Sequence, residues 1–421
     1  MAASLLLCPV QLFAEGAKEE GPKLAESITL MASQNWIKDI DRELFARFKE
    51  ESGIEVKVIV TPDGGYETLL GTTLSGGSNA IDIFMFGAGN AFISAGIQDI
   101  AVNLSDESWV DRYEPWAKEA TSYNGNVYGF NTWGIDYEGI LYNKSFFEEN
   151  NLEVPGSWNE FVALCDRILE LGKIPLYEGI NGVWHTSGWI YAMTPAILAE
   201  KPDFVSWINE TPDHKFASLA STRLGAEQFE EFFSARKDGK PKYFTNDGQA
   251  EDWFGSFPSL INRETIMMFT YSAYEKQVIS KGSEDKWGMF PCPIAGSDAV
   301  VNNGGGICKF INKSSDNIEE CKMLFNFLTR EDIINTYYAQ RDDFAAPAFQ
   351  NVTAMTVANA TVEAVKYSTE LPPTMILRTM LYWSSDIYKY CQAVAAGTGT
   401  GMDILNNIDE YRATMFEAAE Q

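Results

Sequence analysis

Residues 123–162 read YNGNVYGFNTWGIDYEGILYNKSFFEENNLEVPGSWNEFV. Asn124-Gly125-Asn126 is a turn, because Asn and Gly tolerate the left-handed backbone that tight turns need. Two extended aromatic segments follow it. Tyr142-Asn143-Lys144 then leads into a short helix, and Pro155 with Ser157-Trp158 starts a second one. Hydroxyl side chains are good caps, and Trp158 to Leu171 repeats its apolar residues at helical spacing.

Upstream, residues 27–60 alternate strand, helix and strand. SITLMAS is a strand. Asp39, Ile40, Leu44, Phe45 and Phe48 lie along one helix, which Ser52-Gly53 stops before the strand IEVKVIV. Residues 66–75 form a helix, Ser75-Gly76-Gly77-Ser78 a loop, and AIDIFMFG a buried strand. This βαβαβ order predicts parallel strands with helices on their faces. Ligands of such sheets bind beyond the carboxyl ends of the strands. Three loops sit there: Gln34-Asn35-Trp36, Pro62-Asp63-Gly64-Gly65-Tyr66 and Phe86-Gly87-Ala88-Gly89-Asn90.

Downstream, KIPLYEGING is a strand and turn, and a helical region with Trp184, Trp189 and Tyr191 follows. ETIMMFTYSAY is a buried strand running into a helix, and Lys286 to Pro291 is a further strand. VVNNGGGICKFI, residues 300–311, is a second passage between halves of the molecule, and IEECKMLFNFLTRED is a helix. Two helices, Thr374 to Ala396 and Met402 to Ala419, close the chain.

The 421 residues exceed one simple core, which predicts two lobes. The net charge of −27 repels phosphate backbones and excludes nucleic acid as a partner. No apolar run reaches the roughly 18–20 residues of a membrane helix. Leu5 to Ala14 is a short apolar stretch before polar EGAKEEGPK, and it reads as an export signal, with residues 1–26 the signal and a flexible mature N-terminus. Leu7 and Pro9 around Cys8 argue against a lipid anchor. Cys165, Cys292, Cys308, Cys321 and Cys391 show no CxxC spacing; they read as core thiols, with one disulfide an alternative. His185 and His214 are the only histidines, which leaves no zinc or iron set. FGAGNAF breaks the dinucleotide fingerprint at Phe92, and GxxxxGK[ST], GxSxG and HExxH are absent.

In order and spacing, six blocks resemble the family 1 extracellular solute-binding proteins, the receptors of ABC importers. They are SGGSNAIDIFMFG, NAFISAGIQDIAVNLSDE, NGNVYGFN, EGILYNKSFFEENNLEVPGSWNEF, INRETIMMFTYSAY and VNNGGGICKFINKS. The resemblance implies an α/β fold of the two-lobe, type II periplasmic-binding-protein kind, each lobe a sheet flanked by helices and joined by hinge segments. Residues 27–134 and 304–352 would form lobe 1, and residues 135–303 and 353–421 lobe 2. Crossings would fall at 132–138, 299–306 and 348–358. It implies a monomeric periplasmic or extracytoplasmic receptor, without cofactor, metal or catalysis. Such a receptor captures a small molecule, a mono- or oligosaccharide first, and delivers it to ABC permease subunits. The alternatives are a polyamine, a glycerophosphodiester or, from another class, a secreted glycan-active enzyme. The family's Gly-x-Trp falls here on Tyr271-Ser272-Ala273, so Tyr271 or Tyr274 would have to replace that ring.

The candidate ligand contacts each carry a structural alternative. Trp36, Trp184, Trp253 and Trp383 offer stacking faces or core packing. Asp63 and Tyr66 sit in a loop that would also serve as a plain turn. Asn90 could bond hydroxyls or cap a helix. Asp136 could take a ligand or hold the hinge, and with Glu138 it raises the paired-carboxylate pattern of glycosidases, which no motif here supports. Asn303 and Gly304 belong to a glycine run that reads as a sheet-edge strand open to ligand or as hinge freedom. Arg341 or Asp342 should face the cleft. With Asp63, Asp82, Asp136 and Asp342 near these loops and Arg341 the one cation, the sequence predicts a neutral polyol, then a cation.

Overall fold

A computed structural model describes residues 24–62, 65–75, 81–181, 185–245, 255–368, 371–384 and 386–419. Its first sheet contains β1 (Ser27–Ser33), β2 (Glu55–Thr61), β3 (Ile83–Gly87) and β9 (Ile307–Ile311), in the order β9-β3-β1-β2. β1 pairs in parallel with both β2 and β3, as α1 (Asp39–Ser52) and α2 (Tyr66–Ser75) require of right-handed crossovers. β9 returns antiparallel at the edge of β3. β3 is buried along its whole length, the mark of a strand covered on both faces.

The second sheet contains β4 (Tyr137–Asn143), β5 (Ile174–Tyr177), β6 (Thr265–Tyr271) and β7 (Trp287–Phe290), in the order β7-β4-β6-β5, with β8 (Val301–Asn302) beside the start of β4. Alternation along β4 sends Ile140 and Tyr142 into one apolar core and Tyr137 and Leu141 into another. Asn143 ends the strand and accepts from the Phe146 amide at 2.8 Å, which caps α4 (Lys144–Asn150). Ser157 caps α5 (Trp158–Glu170), whose Phe161, Leu164, Cys165 and Ile168 line the same core.

Backbone crossings join the two sheets. Ile135 donates to Ala346 at 3.0 Å and accepts from Ala345 at 2.9 Å, while Phe130 bridges Lys309. The chain also passes through β8, where Asn302 exchanges bonds of 2.9 Å with Pro373 and Met375. Gly304, Gly305 and Gly306 all adopt positive φ, so the run is a turn between β8 and β9 rather than the sheet-edge strand expected.

The C-terminal region departs from the expected helix over Thr374–Ala396. It splits into α7 (Ile376–Thr379), an irregular strap and α8 (Ile387–Ala395), ahead of α9 (Gly401–Ala419). The extended backbone of Met380, with ψ 134°, ends the helix at Thr379, and Tyr382 follows at φ +56°. The strap bonds to both sheets' units, and those bonds replace the helical ones it forgoes. The five cysteines among the described residues are free and buried, so the core-thiol reading holds.

Candidate functional site

The strap delivers Arg378 to the junction of the two sheets. Its stem fits against glycine backbone from each side. A Cβ on Gly87, at the end of β3, would lie 2.7 Å from Arg378 Nη1, and one on Gly304 would lie 2.8 Å from Arg378 Cγ. Any larger residue at either position would displace the arginine. Nε donates to the Asn303 carbonyl at 3.3 Å, and the two terminal nitrogens have no hydrogen-bond acceptor among the described residues. A guanidinium carries five donors in a planar fork. Here four of them remain for something else, and burial holds its pKa below the usual value.

Two carboxylates face it. Glu138 is the second residue of β4 and points to the face of Ile140 and Tyr142. On this wall of the sheet its carboxyl is partly buried, and burial pushes it up to about 7 against the pull of Arg378 and His185. Glu67 starts α2 on the other unit; it is exposed, and desolvation raises its pKa while Arg378 draws it down. Neither side chain has a hydrogen-bond partner among the described residues. Tyr191 is 8% exposed, shares a 3.0 Å bond with Ser187, and feels the charge of both Arg378 and Glu138.

A buried polar group supports this wall. Glu178 Oε1 lies 2.7 Å from His185 Nδ1, and Glu178 Oε2 accepts from Trp189 Nε1 at 3.0 Å. Burial opposes a charge on His185, but the Glu178 carboxylate outweighs it and raises the imidazole pKa. Trp189 is fully buried, as the core reading expects.

Trp36, half-buried, meets Tyr66 edge-on at 4.9 Å. Tyr66 is 1% exposed, and its hydroxyl donates to main-chain carbonyls of β1 and β3, so it ties the sheet together. Asn90 neither caps its helix α3 (Asn90–Ser94) nor stands free: its amide donates to the Thr379 carbonyl across the junction. Ser94 Oγ accepts from Tyr382 N at 3.3 Å in the same contact. Trp383 is half-buried and edge-on to Tyr191 at 5.6 Å, and its indole N–H has no acceptor among the described residues.

Other predicted contacts prove to be framework. Asp136 is 1% exposed and accepts from the amides of Tyr137, Ser272 and Ala273 and from Ser272 Oγ, joining the crossing to the start of α6 (Tyr274–Ser280). Burial raises its pKa to about 7 despite those bonds. Asn303 Oδ1 accepts from the amides of Asp136 and Gly305. Arg341 does not face the junction. It is 3% exposed, holds Asp343 through two bonds of 2.7 and 2.9 Å, and is enclosed by Trp133, Tyr337 and Phe344. Tyr271 accepts from Gln277 at 2.8 Å and packs on Tyr274. Asp82 bonds Thr29 and Ser315 inside the first unit. Asp63, Trp184 and Trp253 lie outside the described residues.

Sequence reasoning passed over Arg378 and Glu67. The signal for Arg378 was available: it is the one charged residue between Glu370 and Asp386, inside a run of apolar residues. Among the described residues, no group of His, Cys, Asp or Glu is placed to hold a metal, and no helix is long and apolar enough to cross a membrane.

Comparison with known proteins agrees with this fold. The family profile of bacterial extracellular solute-binding proteins matches residues 35–333. The erythritol/L-threitol-binding protein of Mycolicibacterium smegmatis is 26% identical over 150 residues, 29% of each chain. The curated relatives that match are each aligned over about a third of their own length or less. Among solved structures, the raffinose complex of RafE, from Streptococcus pneumoniae, superposes with a TM-score of 0.71 at 19% identity, covering 92% of this chain and 99% of that one. The maltose-bound MalE3 of T. maritima gives 0.70 at 19% identity, covering 92% and 98%.

Proposed function

The chain belongs to the bacterial extracellular solute-binding protein family, and we propose that it is the exported receptor of an ABC importer that captures a mono- or oligosaccharide between two lobes. The observation that carries the reading is the junction itself: Glu67 from one sheet's unit, Glu138 from the other's and the strap's Arg378 present hydrogen-bonding groups with no partners among the described residues. Similar folds bind raffinose and maltose, and a relative is named for erythritol and L-threitol. We assign residues 27–134 and 304–352 to lobe 1 and residues 135–303 and 353–421 to lobe 2, in keeping with their separate sheets and cores. Trp36 and Trp383 supply the aromatic walls, and Asp63, Trp184 and Trp253 are kept as candidate ligand contacts from the sequence alone. The lobes close as rigid bodies about the crossings, and the closed surface is what the permease subunits read. An N-terminal signal exports the chain, which works as a monomer.

Titration calorimetry with erythritol, maltose and raffinose tests the reading. A 1:1 complex recovered without hydrolysis supports it. Turnover of the glycosides, or binding of spermidine or a glycerophosphodiester in their place, contradicts it.

A further inference from the structure

Arg378, Glu138 and Glu67 have in common that each is charged, each reaches the junction, and each keeps side-chain atoms, the terminal nitrogens of Arg378 and both carboxylates, with no hydrogen-bond partner among the described residues. Arg378 and Glu138 are partly buried, and charged groups so placed are retained against a desolvation cost, whereas Glu67 is exposed. Two of them would ordinarily form an ion pair, yet Arg378 makes no direct bond to either carboxylate. The glycine socket explains why. Gly304 lies against the stem, Gly87 against the guanidinium itself, and Nε is committed to the Asn303 carbonyl, so the fork is aimed rather than free to swing onto a glutamate. The carboxylates come from elements set rigidly by other bonds: Glu138 from a strand paired on both sides, Glu67 from the first turn of α2 next to the anchored Tyr66.

We propose that Arg378, Glu138 and Glu67 act together as a clamp for adjacent hydroxyl groups of an uncharged polyol. The proposal rests on the carbohydrate reading above and makes it specific. A carboxylate accepts from two neighbouring hydroxyls at once, and the guanidinium fork donates to their oxygens, so a vicinal diol satisfies both kinds of group. The charges discriminate as well. Two carboxylates against one guanidinium repel an acidic sugar, and the fixed guanidinium disfavours an ammonium group beside it. Glu67 belongs to the unit of the first sheet and Glu138 to that of the second, so the clamp is complete only when the two approach one another.

The test is calorimetry and thermal denaturation of the full chain and of the variants Arg378→Gln, Arg378→Lys and Glu138→Gln. The probes are erythritol, maltose and raffinose, with glucosamine, glucuronate and glutamine as charged counterparts. At least one neutral compound should bind the wild type. Arg378→Gln and Glu138→Gln should each weaken that compound about ten-fold or more. Arg378→Lys keeps charge and stem but loses the fork, and it should weaken binding without lowering the melting temperature of the free protein. Neutral-ligand affinity unchanged in all three variants overturns the clamp and leaves the carbohydrate reading standing. Preference of the wild type for glucosamine, glucuronate or glutamine overturns the clamp's selectivity. A wild type that none of the three neutral compounds stabilises at millimolar concentration overturns the carbohydrate reading, and the clamp with it.

Discussion

Two carboxyls one residue apart on the first crossing do different work. Asp136 is enclosed by donors, whereas Glu138 faces Arg378 and solvent. Asp136 accepts at least four hydrogen bonds, and truncation would leave the buried amides of Tyr137 and Ala273 without an acceptor, while the Ser272 amide keeps the Tyr137 carbonyl. Asp136→Ala should therefore lose about 3 kcal/mol in a urea melt. Its folded pKa of about 7 lies above the 3.8 of an unperturbed aspartate, so the folded state holds the proton more tightly. The group's contribution is complete below about pH 4 and declines as pH rises toward 7. Asp136→Asn has no proton to lose, so its stability relative to wild type should rise between those limits; a constant offset would contradict the assignment. Glu138 titrates with a functional consequence. A hydroxyl donates to its carboxylate form, and its value without ligand is about 7, so affinity should fall about ten-fold per pH unit below 7 and level off above it. Arg378 and His185 are the charged groups that face it. Since His185 also titrates, the check is Glu138→Gln, in which the slope should vanish. The sequence shows that carboxyls flank this crossing, but not which one the fold would enclose. It likewise directed attention to Arg341, whose neighbour Asp343 claims it, and away from Arg378, whose apolar flanks read as helix.

The elements divide along the same line. β1 and α2 follow from local spacing alone, and both occur where the pattern places them, at Ser27–Ser33 and Tyr66–Ser75. Residues 374–396 have apolar spacing good enough for one helix, yet tertiary contacts break it. Asn209 accepts from Leu381 N and donates to the Thr379 carbonyl, both at 2.7 Å, which fastens the strap to one unit. Asn90 and Ser94 take hold of it from the other. Such contacts join residues up to 289 positions apart, beyond the reach of any local pattern. If these bonds help hold the lobes together, Asn90→Ala should weaken ligand binding about three- to ten-fold, the worth of one hydrogen bond. Hydrogen exchange at the Tyr382 amide should quicken in Ser94→Ala. Unaltered affinity in Asn90→Ala and unaltered exchange in Ser94→Ala would show that the strap's position does not depend on the first unit.

At the scale of the whole molecule, two sheets meet through backbone crossings at residues 130–137, 301–309 and 344–346, and the charged groups gather where those crossings pass. If these crossings act as the hinges proposed, closure leaves both cores undisturbed. Small-angle scattering should give a smaller radius of gyration with a bound carbohydrate than without one. An unchanged radius for a ligand shown to bind would argue against closure. The first sheet was legible because parallel βαβ order is a local pattern, whereas the second is mostly antiparallel and its lobe was expected from chain length and the family resemblance. The register of the junction was not, because it depends on where the strap lands. The most direct measurement of all is the mass of whatever small molecule the purified protein releases on denaturation. The account predicts a neutral carbohydrate in an equimolar amount; a polyamine, a phosphodiester, an acidic sugar or an amino acid would contradict it.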